Sequence, residues 1–229
     1  FNILSNTSYV YHGGRYDLND SEFRGFNQVN ETLSDKSIIS HYFHQNKQLK
    51  GKEYKTEIYD SSGNIFSAID NNFNFTTSNF SYFIVNLLST ASYTYDGALN
   101  NPKVINASYS YDKYGNVLSK TQHGDINVTG DEKYENYTYA INITSWLLDK
   151  PSWYILFNSE RNKIREIKYF YDNKEYGSVS NKGDLTKIEN WLNTGGGNPT
   201  TTYTYDDFGN LYRQTDALGR TTTRNYGLR

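Results

Sequence analysis

The sequence predicts an all-β protein built from serial antiparallel β-hairpins. The first observation behind this prediction is a short phrase that recurs along the chain and is clearest at residues 203–211, Tyr-Thr-Tyr-Asp-Asp-Phe-Gly-Asn-Leu. The second is the 23 tyrosines among 229 residues, because tyrosine suits a strand that has one face on a core and one in water. The third is a turn chemistry with 17 glycines and only 3 prolines.

The phrase recurs with different degrees of completeness. Residues 109–117 match it position for position, residues 58–65 keep its core, and residues 169–172 keep its first half. A further start at residues 93–97 breaks off early. Such internal repetition identifies an architecture before any single residue does. The positions to which we assign a structural role in the repeat are Tyr59, Asp60, Gly63, Asn64, Tyr95, Asp96, Tyr109, Tyr111, Asp112, Gly115, Asn116, Tyr169, Tyr171, Asp172, Gly183, Tyr203, Tyr205, Asp206, Gly209, Asn210, Asp216, Gly219 and Arg220.

Each repeat is expected to be a strand, a turn and a second strand. Alternation places Tyr203 and Tyr205 on one face of the first strand. A turn follows at residues 206–210, a strand at 211–215 and a second turn at 216–220. In each turn the aspartate can hydrogen-bond the backbone two residues on, and the glycine supplies a positive φ. Strands at this spacing predict a meander of hairpins, and no convincing helix is found.

The organisation of the chain is predicted from the uneven spacing of the repeats. Residues 1–58 are expected to form a β segment that leads into the array, and residues 59–229 the repeat array itself. Insertions are expected near residues 71–92 and 173–181, with residues 182–185 as the delayed second half of the interrupted repeat. The sequence contains no methionine, even at position 1, and is interpreted as a segment of a longer protein.

Bulk composition excludes several classes of function. The net charge of −2 gives no strong electrostatic case for nucleic acid or an acidic membrane as partner. No apolar run approaches 18 residues, so no membrane span is expected in this segment. The absence of cysteine excludes disulfides and thiolate chemistry but leaves the cellular compartment open.

The four histidines do not suggest a metal site. His41 and His44 are three residues apart, which on a strand places them on opposite faces, so packing and hydrogen bonding are the better explanation for both. His12 and His123 are isolated next to glycines and are assigned no role. No metal or other cofactor is expected.

The repeated aspartates are not expected to be catalytic. A catalytic carboxylate pair needs two different environments, whereas Asp60, Asp112, Asp172 and Asp206 occupy equivalent repeat positions. The sequence also lacks a P-loop, a Gly-x-Ser-x-Gly elbow and a His-Glu-x-x-His motif. We therefore expect no catalytic residue and no enzymatic activity in this segment.

The first 145 residues are rich in Asn-x-Ser/Thr sequons. Two explanations stay open, surface glycosylation of an exported protein and a coding bias that enriches asparagine. The candidate glycosylation sites are Asn6, Asn19, Asn30, Asn74, Asn79, Asn106, Asn127, Asn136 and Asn142.

The phrase at residues 203–211, followed by Thr-Asp-Ala-Leu-Gly-Arg-Thr-Thr at 215–222, resembles the Rhs/YD repeat. That repeat occurs in bacterial polymorphic toxins, in the B and C components of insecticidal toxin complexes, and in teneurins. The resemblance covers most of the chain and is weakest at residues 71–92. The stretches that resemble the B component in particular are residues 24–26, 41–45, 49–52, 54–57, 146–152 and 183–192.

The resemblance implies a role in a container. In this family the repeats form a coiled-sheet shell that encloses a toxic C-terminal segment until delivery. The implied partners are the rest of the same shell, an enclosed C-terminal toxin, effector or C component, and a pore-forming A component. The implied location is secreted or at a cell surface. The turn at residues 216–220 is similar to the internal version of the repeat, so the resemblance transfers no self-cleaving site to this segment.

The alternative is a binding module. An adhesion protein of the teneurin or wall-associated type could use a tyrosine-rich outer face to bind glycans or cells. Aromatic residues with lysine and arginine also occur in single-stranded nucleic acid sites. Because the tyrosines recur with the repeat, we favour a role in the wall over either kind of ligand site.

Overall fold

The structure is a computed structural model that describes residues 5–77, 83–95 and 100–227. These residues form seventeen β-strands and contain no helix, which confirms the prediction of an all-β protein made of serial antiparallel hairpins. The chain divides into two compact units, which are described separately.

The first unit contains residues 1–111 and 121–132. Its main sheet has the order β1-β4-β5-β6-β7-β8-β9 with every neighbouring pair antiparallel, and β2 pairs with β3 in a separate two-stranded sheet. The strands are β1 (Ser8–His12), β2 (Tyr16–Asp17), β3 (Glu22–Phe23), β4 (Gln28–Thr32), β5 (Ile38–Phe43), β6 (Glu53–Tyr59), β7 (Ile65–Thr77), β8 (Phe83–Thr94) and β9 (Lys103–Tyr111).

The second unit contains residues 112–120 and 133–229. Strand β10 (Val117–Asp125) has its first four residues in this unit and the rest in the first unit. From β11 onwards each strand is antiparallel to the next. These strands are β11 (Lys133–Asn142), β12 (Leu147–Phe157), β13 (Lys163–Tyr171), β14 (Leu185–Asn190), β15 (Thr200–Tyr205), β16 (Leu211–Thr215) and β17 (Thr221–Thr223).

The segments predicted as insertions differ in structure. The described part of residues 71–92 lies in the long hairpin of β7 and β8, whose register runs from Ser67 opposite Thr94 to Thr77 opposite Phe83. Residues 173–181 contain no strand and connect β13 to β14. The predicted boundary after residue 58 falls inside β6.

Few apolar side chains are fully buried. Among the described residues they are Leu49 and Ala68 in the first unit and Ala140, Ile155, Ile167 and Tyr171 in the second. With so little fully buried apolar area, strand pairing, cross-strand side-chain contacts and turns must carry much of the stability.

A five-residue turn centred on an aspartate closes several hairpins. At Asp206 the backbone N–H donates to the carbonyl of Asn210 over 2.9 Å, and the N–H of Gly209 donates to the carbonyl of Asp206 over 3.1 Å. One carboxylate oxygen of Asp206 accepts the N–H groups of Phe208 and Asn210, and the other accepts the Asn210 side-chain amide at 3.0 Å. The aspartate side chain therefore fixes the whole turn.

The same set of hydrogen bonds recurs at three other repeat aspartates. Asp60 and Asp112 each bond the backbone and side chain of the asparagine four residues later. At Asp216 the Nε of Arg220 takes the place of the asparagine amide, at 2.7 Å. We call these four the aspartate turns. In each, the carboxylate replaces solvent as partner of turn N–H groups that the strands cannot pair.

The repeat that begins at Asp172 forms an interrupted version of this turn. The N–H of Asp172 donates to the carbonyl of Asp184 over 2.8 Å, and the Asp172 carboxylate accepts the N–H groups of Gly183 and Asp184. The two bonds with Asp184 correspond to those that Asn210 makes with Asp206, whereas the N–H of Gly209 donates to the backbone carbonyl of Asp206 and not to its carboxylate. The intervening loop also supplies the N–H of Ser180, at 2.9 Å from the same carboxylate.

The aspartate turn requires a positive φ at its fourth residue. Gly209 has φ +83° and a Cβ added there would meet no atom within 4 Å, so the cost of a side chain is conformational. We predict that Gly209→Ala lowers the free energy of unfolding by about 1–2 kcal/mol, measured by urea denaturation of the 229-residue chain. Gly196 is the matched control, since it has the same free space without a positive φ. An equal effect of Gly196→Ala would contradict the conformational explanation.

Candidate functional site: the tyrosine-bearing wall

Five tyrosine hydroxyls donate to backbone carbonyls on other strands, and three of these tyrosines, Tyr111, Tyr171 and Tyr205, are repeat positions. In the second unit Tyr205 on β15 donates to the carbonyl of Leu185 on β14 over 2.8 Å, and Tyr171 on β13 donates to that of Pro151 on β12 over 2.8 Å. Three further tyrosine hydroxyls donate to backbone carbonyls in the same way. They are those of Tyr139 to Val117 and Tyr226 to Leu211 in the second unit, and of Tyr111 to Leu87 in the first unit. We call these five contacts the tyrosine bridges.

Three tyrosine bridges end where an aspartate-centred turn ends. Val117, Leu185 and Leu211 are the first residues of β10, β14 and β16, directly after the turns at residues 112–116, 172–184 and 206–210. The tyrosine of one repeat therefore bonds the carbonyl that follows the turn of the preceding repeat. This arrangement couples each hairpin to the next without any ligand or catalytic group.

Burial disfavours ionisation of these phenols. Desolvation by burial raises the pKa of Tyr111, Tyr139, Tyr171 and Tyr205 above the usual value for tyrosine. A neutral phenol is required for the bridge, because the hydroxyl must donate its proton to a carbonyl oxygen.

Two buried glutamates also bind tyrosine hydroxyls. Glu57 on β6 accepts the hydroxyls of Tyr42 and Tyr59 at 2.9 and 2.8 Å, and Lys55 lies at 2.6 Å. Burial opposes the charge of Glu57, but Lys55 and the two hydroxyls outweigh it, so the pKa of this carboxyl is lowered. The sequence analysis missed this cluster, although alternation in a strand places a glutamate and a tyrosine two residues apart on one face.

The second unit contains a similar cluster at Glu135 on β11. Its carboxylate accepts the hydroxyl of Tyr137 at 2.6 Å, and Lys120 lies at 3.4 Å. The Tyr137 ring packs against that of Tyr154 with 5.2 Å between centroids. These rings belong to a cleft of about 280 Å³ that is lined by Tyr137, Tyr139, Pro151, Tyr154, Arg165, Ile167 and Tyr169.

His41, His44 and His123 contact different side chains. His41 lies 2.6 Å from Glu53, and the His44 ring packs on Tyr54 with 4.8 Å between centroids. Burial lowers the pKa of His44. His123 contacts Ser108 at 2.9 Å. Among the described residues no group of three histidine, cysteine, aspartate or glutamate side chains could hold a metal ion.

A second missed feature is the buried Arg24. Its side chain is 1% exposed and forms ion pairs with Asp17, Asp20 and Glu22, all in or near the two-stranded sheet. A buried guanidinium requires such partners. No pattern of alternation reveals this cluster, because it depends on how a loop folds back.

The candidate glycosylation sites lie in both turns and strands. Asn19 lies in an exposed turn and Asn127 in an exposed loop, whereas Asn142 donates its side-chain amide to the carbonyl of Ser180. The side-chain oxygen of Asn106 is buried and has no hydrogen-bond partner. Two sequence-predicted residues, Asn79 and Asp96, lie outside the described part of the chain. No described helix has the length and apolarity needed to span a bilayer.

No protein-family model matches this chain, and no curated protein sequence matches it. Solved structures do match. A Photorhabdus luminescens Tc holotoxin pore matches with a TM-score of 0.68 and 12% identity, over 97% of this chain and 19% of that chain. A crystal structure of TcdB2-TccC3 without its hypervariable C-terminal region matches with a TM-score of 0.67 and 13% identity, over 97% of this chain and 20% of that chain. A crystal structure of TcdB2-TccC3-Cdc42 matches with a TM-score of 0.63 and 10% identity, over 96% of this chain and 21% of that chain.

The chain therefore has the fold of one part of these toxin-complex structures, and it spans about a fifth of the length of the chains that it matches. This likeness confirms, at the level of the fold, the resemblance to a toxin-complex shell region that the sequence predicts.

The tyrosine bridge at Tyr171 can be tested by its response to pH. Tyr171→Phe removes one buried hydrogen bond and should lower the free energy of unfolding by about 1 kcal/mol at neutral pH. Because burial raises the folded-state pKa of Tyr171, the stability supplied by its neutral form is complete below the unfolded-state pKa of about 10. It is lost as the pH rises through the folded-state pKa.

Urea denaturation between pH 7 and 11 provides the measurement. The difference between wild type and Tyr171→Phe should shrink above about pH 10, because only the wild-type residue can ionise on unfolding. Tyr212→Phe is the control, since the Tyr212 side chain is 39% exposed and its loss should change stability little at any pH. A difference that stays constant with pH would refute the bridge.

Proposed function

We propose that this chain is a wall segment of a β-shell in a secreted toxin-complex-type protein, and that the complete shell encloses a toxic segment. The observation that carries the proposal is the fold likeness to the toxin-complex structures, which extends over 97% of this chain. The chain corresponds to about a fifth of each matched chain, so the enclosed segment would belong to the remainder of the protein.

The local chemistry is suited to a wall. Aspartate turns and tyrosine bridges join several neighbouring strands through hydrogen bonds that repeat along the chain. A container needs mechanical continuity and a surface that does not react with its contents. The repeat aspartates support this role, because the carboxylate of Asp206 is occupied by three N–H donors.

We also infer that the segment has no catalytic function of its own. Hydrogen bonds from Asn210 lower the pKa of Asp206, and the equivalent bonds from Asn64 do the same for Asp60. Both carboxylates are therefore ionised and saturated with donors, which suits neither a general acid nor a nucleophile. The toxic activity would reside in the enclosed segment.

The partners follow from the same proposal. The matched structures are assemblies of TcdB2 with TccC3 and a Tc holotoxin pore. By analogy, the partners of this chain would be the rest of its own shell, a C component or C-terminal effector inside it, and a pore-forming component for delivery.

Protease protection in the full-length protein tests the proposal. The complete polypeptide is purified with a tag at its C-terminus and digested under native conditions. We expect its C-terminal segment to resist digestion while the shell is intact and to be degraded rapidly when expressed alone.

Denaturation provides the internal control for that experiment. Protection should disappear in the urea range in which the β-structure unfolds, measured by circular dichroism on the same sample. If the C-terminal segment is digested equally fast in the native full-length protein and in isolation, the container role is wrong.

A further inference from the structure

A polar groove in the first unit has no part in the proposed wall function. Its volume is about 590 Å³, and it includes side chains from β6 to β9 together with His44 and His123. The strand register places Lys55, Asp70, Ala91 and Asn106 in one row across these four strands. Residues directly opposite each other share a face, so these four side chains lie on the same side of the sheet.

A second row lies two residues further along the strands. Asn72 pairs with Ser89, and Ser89 pairs with Ser108. The alternation of strands places these three side chains on the same face as the first row. Serine and alanine at the centre of the two rows leave space between larger polar groups, and His123 contacts Ser108 at 2.9 Å.

The groove contains a buried acceptor that lacks a donor. The side-chain oxygen of Asn106 is buried and has no hydrogen-bond partner. Leaving a buried acceptor unsatisfied costs free energy comparable to a lost hydrogen bond. A donor from a bound molecule would remove that cost, so the position of Asn106 identifies where a ligand hydroxyl or amide belongs.

The charges in the groove disfavour an anion or a metal ion as ligand. Lys55 is the one lysine or arginine among the described lining residues, and its ammonium lies 2.6 Å from the carboxylate of Glu57. Asp70 lies opposite Lys55. An anion would meet the Asp70 carboxylate without a free cation to offset it, and the described residues hold no group of three metal ligands.

Strand addition by a peptide is also disfavoured. Strands β6, β7 and β8 are each paired on both sides, so their backbones offer no free edge at the groove. Recognition must therefore use side chains. Those present are amides, hydroxyls, two imidazoles, an ammonium and a carboxylate, each of which can bond a hydroxyl group as donor or acceptor.

We propose that this groove binds a neutral carbohydrate, with a sugar hydroxyl donating to the side-chain oxygen of Asn106. Further hydroxyls of the sugar bond Asp70, Asn72 and Ser108. The site is independent of the wall function and would give the protein affinity for neutral glycans.

Glycan binding by the 229-residue chain tests this proposal. The protein is produced without N-glycosylation, so that the sequon at Asn106 is unmodified, and is applied to an array of neutral, sialylated and sulfated oligosaccharides. We expect binding to neutral glycans, and the glycan with the highest signal is then titrated by isothermal calorimetry. Asn106→Leu should weaken that binding about tenfold or more, the cost of one buried hydrogen bond.

Asn106→Leu should keep the fold, because it removes an unsatisfied polar atom from a buried position. Asn86→Leu on β8 is the matched control outside the groove lining, and it should leave the affinity unchanged. His123→Ala should also weaken binding. Three outcomes overturn the proposal: no binding of neutral glycans, binding restricted to sialylated or sulfated ones, or equal affinity of wild type and Asn106→Leu.

Discussion

The hydrogen bonds of the aspartate turn set the geometry on which the rest of the structure depends. A carboxylate that accepts the N–H groups two and four residues later closes the chain at a fixed length, as Asp206 does with Phe208 and Asn210. A fixed turn length determines the register of the two strands. The strand register then determines which side chains share a face of the sheet, and therefore which tyrosine hydroxyl can reach which backbone carbonyl.

The tyrosine bridges extend this local order from one hairpin to the next. Tyr205 bonds the first carbonyl of β14, and Tyr226 bonds the first carbonyl of β16. Both of these bridges end at the residue that directly follows a turn, so the turn and the bridge act on the same place. Few apolar side chains are fully buried among the described residues. Polar contacts between strands therefore provide stability that a larger hydrophobic core would otherwise provide.

Much of this arrangement could be predicted from the sequence because its signals are local. The alternating tyrosines, the turn aspartate and the glycine at residue 209 all lie within one nine-residue phrase. The turn at Asn158 was missed, since it has asparagine in place of the aspartate and Arg161 at φ +63° in place of glycine. The spacing of Asn158 and Asn162, four residues apart as in the other turns, could have predicted this turn.

Features that depend on distant segments could not be predicted. The ion pairs of Arg24 and the environment of Glu57 require knowledge of which strands and loops are neighbours. The polar groove belongs to this class as well, because its two rows exist only once the register of β6 to β9 is known. The stretch at residues 71–92 resembled the repeat poorly, yet its described residues form paired strands, since pairing depends on alternation and not on the repeat phrase.

Amide hydrogen exchange at the turn positions tests most directly whether one hydrogen-bonded turn recurs along the chain. The relevant backbone amides are those of Asn64, Asn116, Asn162, Asn210 and Arg220, each of which donates to the turn side chain four residues earlier over 2.8–2.9 Å. Measured by NMR, all five should exchange far more slowly than the amides of the glycine loop at residues 195–197. Exchange at the rate of that loop would contradict the claim that this turn organises the fold.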